Sequence, residues 1–337
     1  MGLKAWGTTN NTVWTTSSGT IVTSLVDADN PQGLRPYTMR FQFDDSTYDP
    51  TNESWGSGSF WVQVSSSPNV WDYTYASTNW GAKFTRRFQD RNNVVHVVGA
   101  NLLGVESVGS AFYECTALRS VGTLDISTAT AVSNLFASCS ALNSVTSLNT
   151  ASATEMRNMF EGCLSLTAIP SLNTSHVTTM AYMFHGCKLL TSVPLFDTSN
   201  VTSMSSMFEG CSSLTSVPLF DTSNVTMMSN MFNACSSLAA APSFDTSRVT
   251  NMSTMFQGCS SLTTVPLYNT VNVANVSSMF SSCRYVESGA LALYQQMSSQ
   301  VLIPENHTMC FSQCGSLTVT GQAELAQIPT SWGGTMA

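Results

Sequence analysis

Cysteine supplies the first residues in this sequence that could do chemistry. Cys115, Cys139, Cys163, Cys187, Cys211, Cys235, Cys259 and Cys283 recur at 24-residue steps, and Cys310 and Cys314 follow after the period breaks. Zinc would require clustered ligands such as paired C-x₂-C, and no such pair is present. A disulfide needs Cα atoms within about 7 Å. The helix side of a solenoid is expected to space its coils more widely than the strand side, so the periodic thiols are expected to remain reduced, small apolar core residues. Asp197, Asp221 and Asp245 also recur in register, as a carboxylate ladder for Ca²⁺ would. The same column holds Asp125, Asn149, Asn173 and Asn269, so an oxygen matters there more than a charge, and an Asx turn is the simpler use. His96, His176, His185 and His307 are scattered and stand in no nucleophile motif. Asp44, Asp45, Asp49 and Glu53 could pair for glycoside hydrolysis, but turn residues bound the stretch, which favours a loop. The sequence thus predicts no enzyme, no cofactor and no metal site.

Composition limits the partners. Charged residues make up only 9% of the chain, the net charge is −8, and Lys and Arg together number 12. Phosphate neutralisation needs a basic stripe; the nearest candidate, Lys83 to Arg91, reads as a solvated or partner-facing helix face. No run approaches the roughly 18 apolar residues of a membrane span. The chain as written opens without the apolar core of a secretory signal, so no export is expected.

The elements that carry these residues follow from the period. Phe stands three residues before each periodic Cys, from Phe112 through Phe184, Phe208 and Phe232 to Phe280, and Leu or Val stands three after it. Between Val201 and Cys211 the apolar set Val201, Met204, Met207, Phe208 and Cys211 fits one face of a short helix. Thr198, Ser199 or Asn200 would cap that helix and Gly210 would end it. "LTSVPLF" reads as one strand of three or four residues, kept short by its proline. Such a coil cannot bury its own apolar stripe, so coils must stack into a solenoid with a parallel sheet. The position nine after Cys (Leu172, Phe196, Phe220, Phe244, Tyr268) is core. Its predecessor varies among Ser171, Leu195, Leu219, Ser243 and Leu267, so Leu195, Leu219 and Leu267 form a modest exposed ridge, a partner patch.

"MFEGCSSLTSVPLFDTSNVTSMSS" resembles the BspA-like leucine-rich repeat of bacterial surface proteins, over about Gly104 to Arg284. The resemblance implies a curved solenoid and adhesion to proteins or host cells. "VESGALALYQQMSSQ" and "GQAELAQIPTSWGG" look like the C-terminal end of repeat proteins from gut bacteriophage and prophage genes. That likeness implies a virion or host-contact component assembled in the bacterial cytoplasm.

Six of the seven tryptophans lie before residue 95, where "PYTMRFQF" and "SFWVQVSS" alternate as antiparallel strands do. The expected organisation is a docking arm over 1–35, a β-rich module over 36–100, a solenoid of eight coils over 101–284 and a helical cap over 285–337. The cap helices are expected around Ala290–Met297 and Ala323–Ile328. The expected function is a bacteriophage virion surface protein, a head or tail fibre or decoration, that meets a host or mucosal glycoprotein and docks to other virion proteins through its N-terminal region, with a homo-oligomer, a trimer, as the expected assembly. A bacterial surface adhesin and a polysaccharide-degrading enzyme are the alternatives.

Overall fold

The computed structural model describes residues 13–16, 19–22, 37–43, 59–66, 69–75, 94–102 and 105–335. The Lys83–Arg91 stretch and the Asp44–Glu53 carboxylates lie outside them. β1 (Val13–Thr16) and β2 (Gly19–Val22) form an antiparallel pair. β3 (Tyr37–Phe43), β4 (Ser59–Ser66) and β5 (Asn69–Tyr75) are antiparallel strands of a second sheet. β6 (Val94–Asn101) joins two regimes. It pairs antiparallel with β3 on one side and parallel with β7 (Ser120–Asp125) on the other, and β8 (Ser144–Asn149) extends the parallel side. The sheet order is β4-β5-β3-β6-β7-β8. Val97, Val121 and Val145 stack in register across the parallel strands, all buried.

The parallel sheet stops at β8, and the reason is proline. Gly122 and Thr146 occupy the column that becomes Pro170, Pro194, Pro218, Pro242 and Pro266 in the next coils. Each proline deletes an N–H that the ladder needs. The expected strand of three or four residues in every coil is therefore corrected: two coils carry six-residue strands, and the proline coils lie beside them without a ladder.

Stacking is carried instead by the opposite side, where the expected short helices are replaced by consecutive turns. Backbone N–H groups alternate in use. Met204, Ser206, Phe208 and Gly210 donate to Met227, Ser229, Met231 and Asn233 of the next coil, at 2.7–3.0 Å. Met207, Glu209 and Cys211 donate three residues back within their own coil. A helix would keep every bond inside the segment; here half of them hold neighbouring coils together. Reversing direction this often demands left-handed residues, and two columns supply them. One includes Ser206 (φ 54) and the other Gly162, Gly186, Gly210 (φ 74) and Gly258, with Ala234 (φ 59) in place of glycine. The predicted apolar set is nonetheless the buried one: Val201, Met204, Met207, Phe208 and Cys211 are all fully buried.

The core is a set of columns along the stack. Phe112, Phe136, Phe160, Phe184, Phe208, Phe232, Phe256 and Phe280 stack ring on ring, with centroids 5.2–5.7 Å apart. Phe311 continues the column at 6.1 Å, although it comes 31 residues after Phe280. The added residues form α1 (Ala290–Ser298), which buries Leu293 and Met297. α2 spans Val319–Leu325, earlier than the Ala323–Ile328 expected, because Thr318 caps its first turn by accepting from Gly321 N–H at 3.1 Å. The Glu324 carboxylate accepts from the N–H groups of Gly289 and Leu291 (3.2 and 3.0 Å), tying α2 to the start of α1. Phe311 N–H donates to the carbonyl of Trp332, so the C-terminal segment covers the last coil. No described helix is long and apolar enough to cross a membrane.

Candidate contact surface

The periodic cysteines belong to the scaffold. Each from Cys139 to Cys283 directs its Sγ–H to the carbonyl of a phenylalanine one coil back, at 2.9–3.2 Å; for Cys187 the acceptor is Phe160, for Cys211 Phe184 and for Cys235 Phe208. The expected wide spacing on this side is corrected, because cross-coil bonds at Phe184 and Gly186, immediately before Cys187, set a ladder-like separation of about 5 Å. The thiols stay reduced for another reason. Side chains in register point the same way, whereas a disulfide needs Cβ vectors that face each other. Burial pushes the thiols well above their ordinary pKa, Cys187 and Cys283 to about 12, so none is an activated nucleophile.

The histidines have four unrelated environments. His96 Nδ1 lies 2.6 Å from Ser120 Oγ, and His176 Nδ1 lies 3.2 Å from Ser175 Oγ. His185 sits 3.5 Å from Glu161 on a half-exposed edge, and His307 stacks on Trp332 at 4.1 Å. Among the described residues no three His, Cys, Asp or Glu side chains converge as a metal site.

The exposed wall of the proline coils has a repeating chemistry. From Leu195 on, side chains alternate outward and inward: Leu195 and Asp197 are exposed, Phe196 and Thr198 buried. Leu195, Leu219 and Leu267 are 65%, 67% and 63% exposed, and Ser171 and Ser243 occupy the remaining places of their column. Two residues on, Asp197, Asp221 and Asp245 each form an Asx turn. Their Oδ1 atoms accept from the N–H groups of Ser199, Ser223 and Ser247 at 2.9–3.1 Å. These serine hydrogen bonds hold all three carboxyls below the usual pKa. The row is anchored from beneath, because Thr174, Thr198 and Thr222, all buried, donate through Oγ1 to the Asp197, Asp221 and Asp245 carbonyls at 2.8 Å. Under the ridge, Phe196, Phe220 and Phe244 stack at 5.9 and 6.3 Å. Sequence reasoning found both rows; the threonine clamp beneath the aspartates it missed, although Thr recurs at that position from Thr150 to Thr270.

The family model described as "Mycoplasma protein of unknown function, DUF285" matches residues 106–216 and again residues 188–294, together more than half of the chain. The chain belongs to this family. A search of curated proteins found no match. Among solved structures, the leucine-rich repeat protein of T. pallidum is similar at 20% identity, over 62% of this chain and 78% of that one, with a TM-score of 0.34. A leucine-rich repeat protein from Eubacterium ventriosum is similar at 18% identity, over 60% of this chain and 80% of that one, with a TM-score of 0.28.

Proposed function

We propose that this chain is a non-enzymatic contact protein that presents one wall of its solenoid to a protein partner. The observation that carries this reading is the exposed leucine row, held at fixed spacing on a stacked aromatic core. A rigid row of large apolar side chains on a wall otherwise made of Ser, Thr and Asp is suited to recognition. The buried thiols, held well above their ordinary pKa, and the dispersed histidines offer no assembled nucleophile and base.

The setting we propose is the surface of a bacteriophage particle, with a host or mucosal ligand on the solenoid and other virion proteins at the N-terminal region. Its support is the resemblance of the segments around α1 and α2 to the ends of phage-encoded repeat proteins. A bacterial cell-surface adhesin is the second reading, supported by the resemblance of the repeat to BspA-like bacterial surface proteins. Density-gradient particles and washed envelopes from the source culture separate the two by peptide mass spectrometry. Peptides in fixed ratio to the capsid protein support the virion setting, and peptides confined to the envelope overturn it in favour of the adhesin.

A further inference from the structure

The two rows on the proline wall are parallel, and this specifies what fits them. Leu195 and Leu219 are one coil apart, over rings separated by 5.9 Å, and Leu267 lies two coils beyond Leu219. One turn of an α-helix rises about 5.4 Å, close to the step from coil to coil, so leucines three or four apart on a helix lying along the solenoid axis would meet successive coils. Beside the ridge, the exposed Asp197, Asp221 and Asp245 repeat at the same step. Arg248, three residues after Asp245, donates to Asn224 Oδ1 at 2.8 Å.

We propose that this wall is a docking site for a cationic amphipathic helix of a partner protein, its apolar side chains on Leu195, Leu219 and Leu267 and its Lys or Arg side chains on Asp197, Asp221 and Asp245. The inference rests on the contact role proposed above and adds the chemistry of the partner. Charge complementarity selects this occupant. An acidic row repels nucleic acid and anionic lipid. A sugar ligand would require an exposed aromatic face, and the rings of this wall, Phe196, Phe220 and Tyr268, are buried.

The repeat contains its own tolerated substitutions: Ser171 and Ser243 already stand in the leucine column, and Asn149, Asn173 and Asn269 in the aspartate column. The full chain carrying Leu195→Ser, Leu219→Ser and Leu267→Ser, or carrying Asp197→Asn, Asp221→Asn and Asp245→Asn, is therefore expected to fold. A control chain carries Glu106→Gln, Glu155→Gln and Glu287→Gln, which removes the same charge from exposed positions elsewhere. The probe is a fluorescein-labelled amphipathic helical peptide of leucine and lysine, followed by anisotropy. Each wall triple should weaken binding about tenfold, the aspartate triple should also flatten the salt dependence, and the control triple should bind as the unchanged protein does. Failure of the unchanged chain to bind, equal loss in the control triple, or wall triples that bind undiminished would each overturn the inference. Retention of the purified chain on source particles or envelopes tests the parent reading separately. Retention that survives both wall triples overturns the docking site and leaves the contact role intact. No retention on either overturns the contact role itself.

Discussion

Ala234→Gly should stabilise this protein, a result that depends on the turn geometry of the coils. Ala234 has φ 59, in the column where Gly162, Gly186, Gly210 and Gly258 stand. A left-handed conformation costs an L-residue about 1–2 kcal/mol, and glycine avoids that strain. Against this, glycine loses about 0.5–1 kcal/mol more backbone entropy on folding than alanine. The net expectation is a gain of about 0.5–1 kcal/mol. Had a helix continued through this position, the same change would cost about 1 kcal/mol. The sign therefore decides between a left-handed turn and a continuing helix at residue 234. Gly210→Ala is the reciprocal change and should destabilise by a similar amount. Its new Cβ would lie 3.5 Å from the Gly186 Cα, an ordinary contact, so the loss would be conformational and not steric. Urea denaturation followed by circular dichroism, with both variants against the unchanged chain at matched slope, measures the difference. A lower midpoint for Ala234→Gly together with a higher one for Gly210→Ala would refute the turn reading.

Other consequences follow from the columns. Phe208→Ala removes a fully buried ring stacked at 5.6 Å on both Phe184 and Phe232, and should cost about 3–5 kcal/mol in urea denaturation. The buried thiols should give no colour with Ellman's reagent in the native chain, and all 10 should react once it is unfolded in urea. Because Cys187 and Cys283 have folded pKa values raised from 9.0 to about 12, their contribution to stability is fully present below pH 9. It should be lost from pH 9 to 12, by up to about 1.4 kcal/mol per pH unit for each thiol. A urea midpoint that holds level from pH 8 to 11 would contradict this. Glu324→Gln removes a charge from the α1 N-terminus and should lower stability by about 1 kcal/mol, read as a lower melting temperature.

Much of the architecture was legible along the chain, because a solenoid writes its core as columns. The period, the Phe and Cys positions and the buried set from Val201 to Cys211 follow from spacing alone, since each coil must present the same apolar face to the next. The outward Leu195 was legible too, because Ser and Leu exchange in its column, and the turn at Asp197 because Asp and Asn exchange in its own. What the sequence could not decide was which backbone groups pair. Val201, Met204, Met207, Phe208 and Cys211 satisfy a helix and a chain of turns equally well, and only the neighbouring coil, 24 residues away, selects the turns by accepting alternate N–H bonds. Glycine four residues after the Ser206 column, at Gly162, Gly186, Gly210 and Gly258, was the available signal, since left-handed positions favour it.

Read alone, the sequence determined the repeat, its inward and outward residues and its shortage of charge, all properties of local pattern. Tertiary structure decided where the sheet ends, how the thiols are spaced and where the cap helices begin. Each of these depends on a donor and acceptor from different coils: the N–H that Pro170 lacks beside β8, the Phe160 carbonyl over Cys187, and the Glu324 carboxylate at the start of α1. A hydrogen bond between segments distant in sequence depends on which groups the fold brings together, and the pattern of either segment alone does not name its partner.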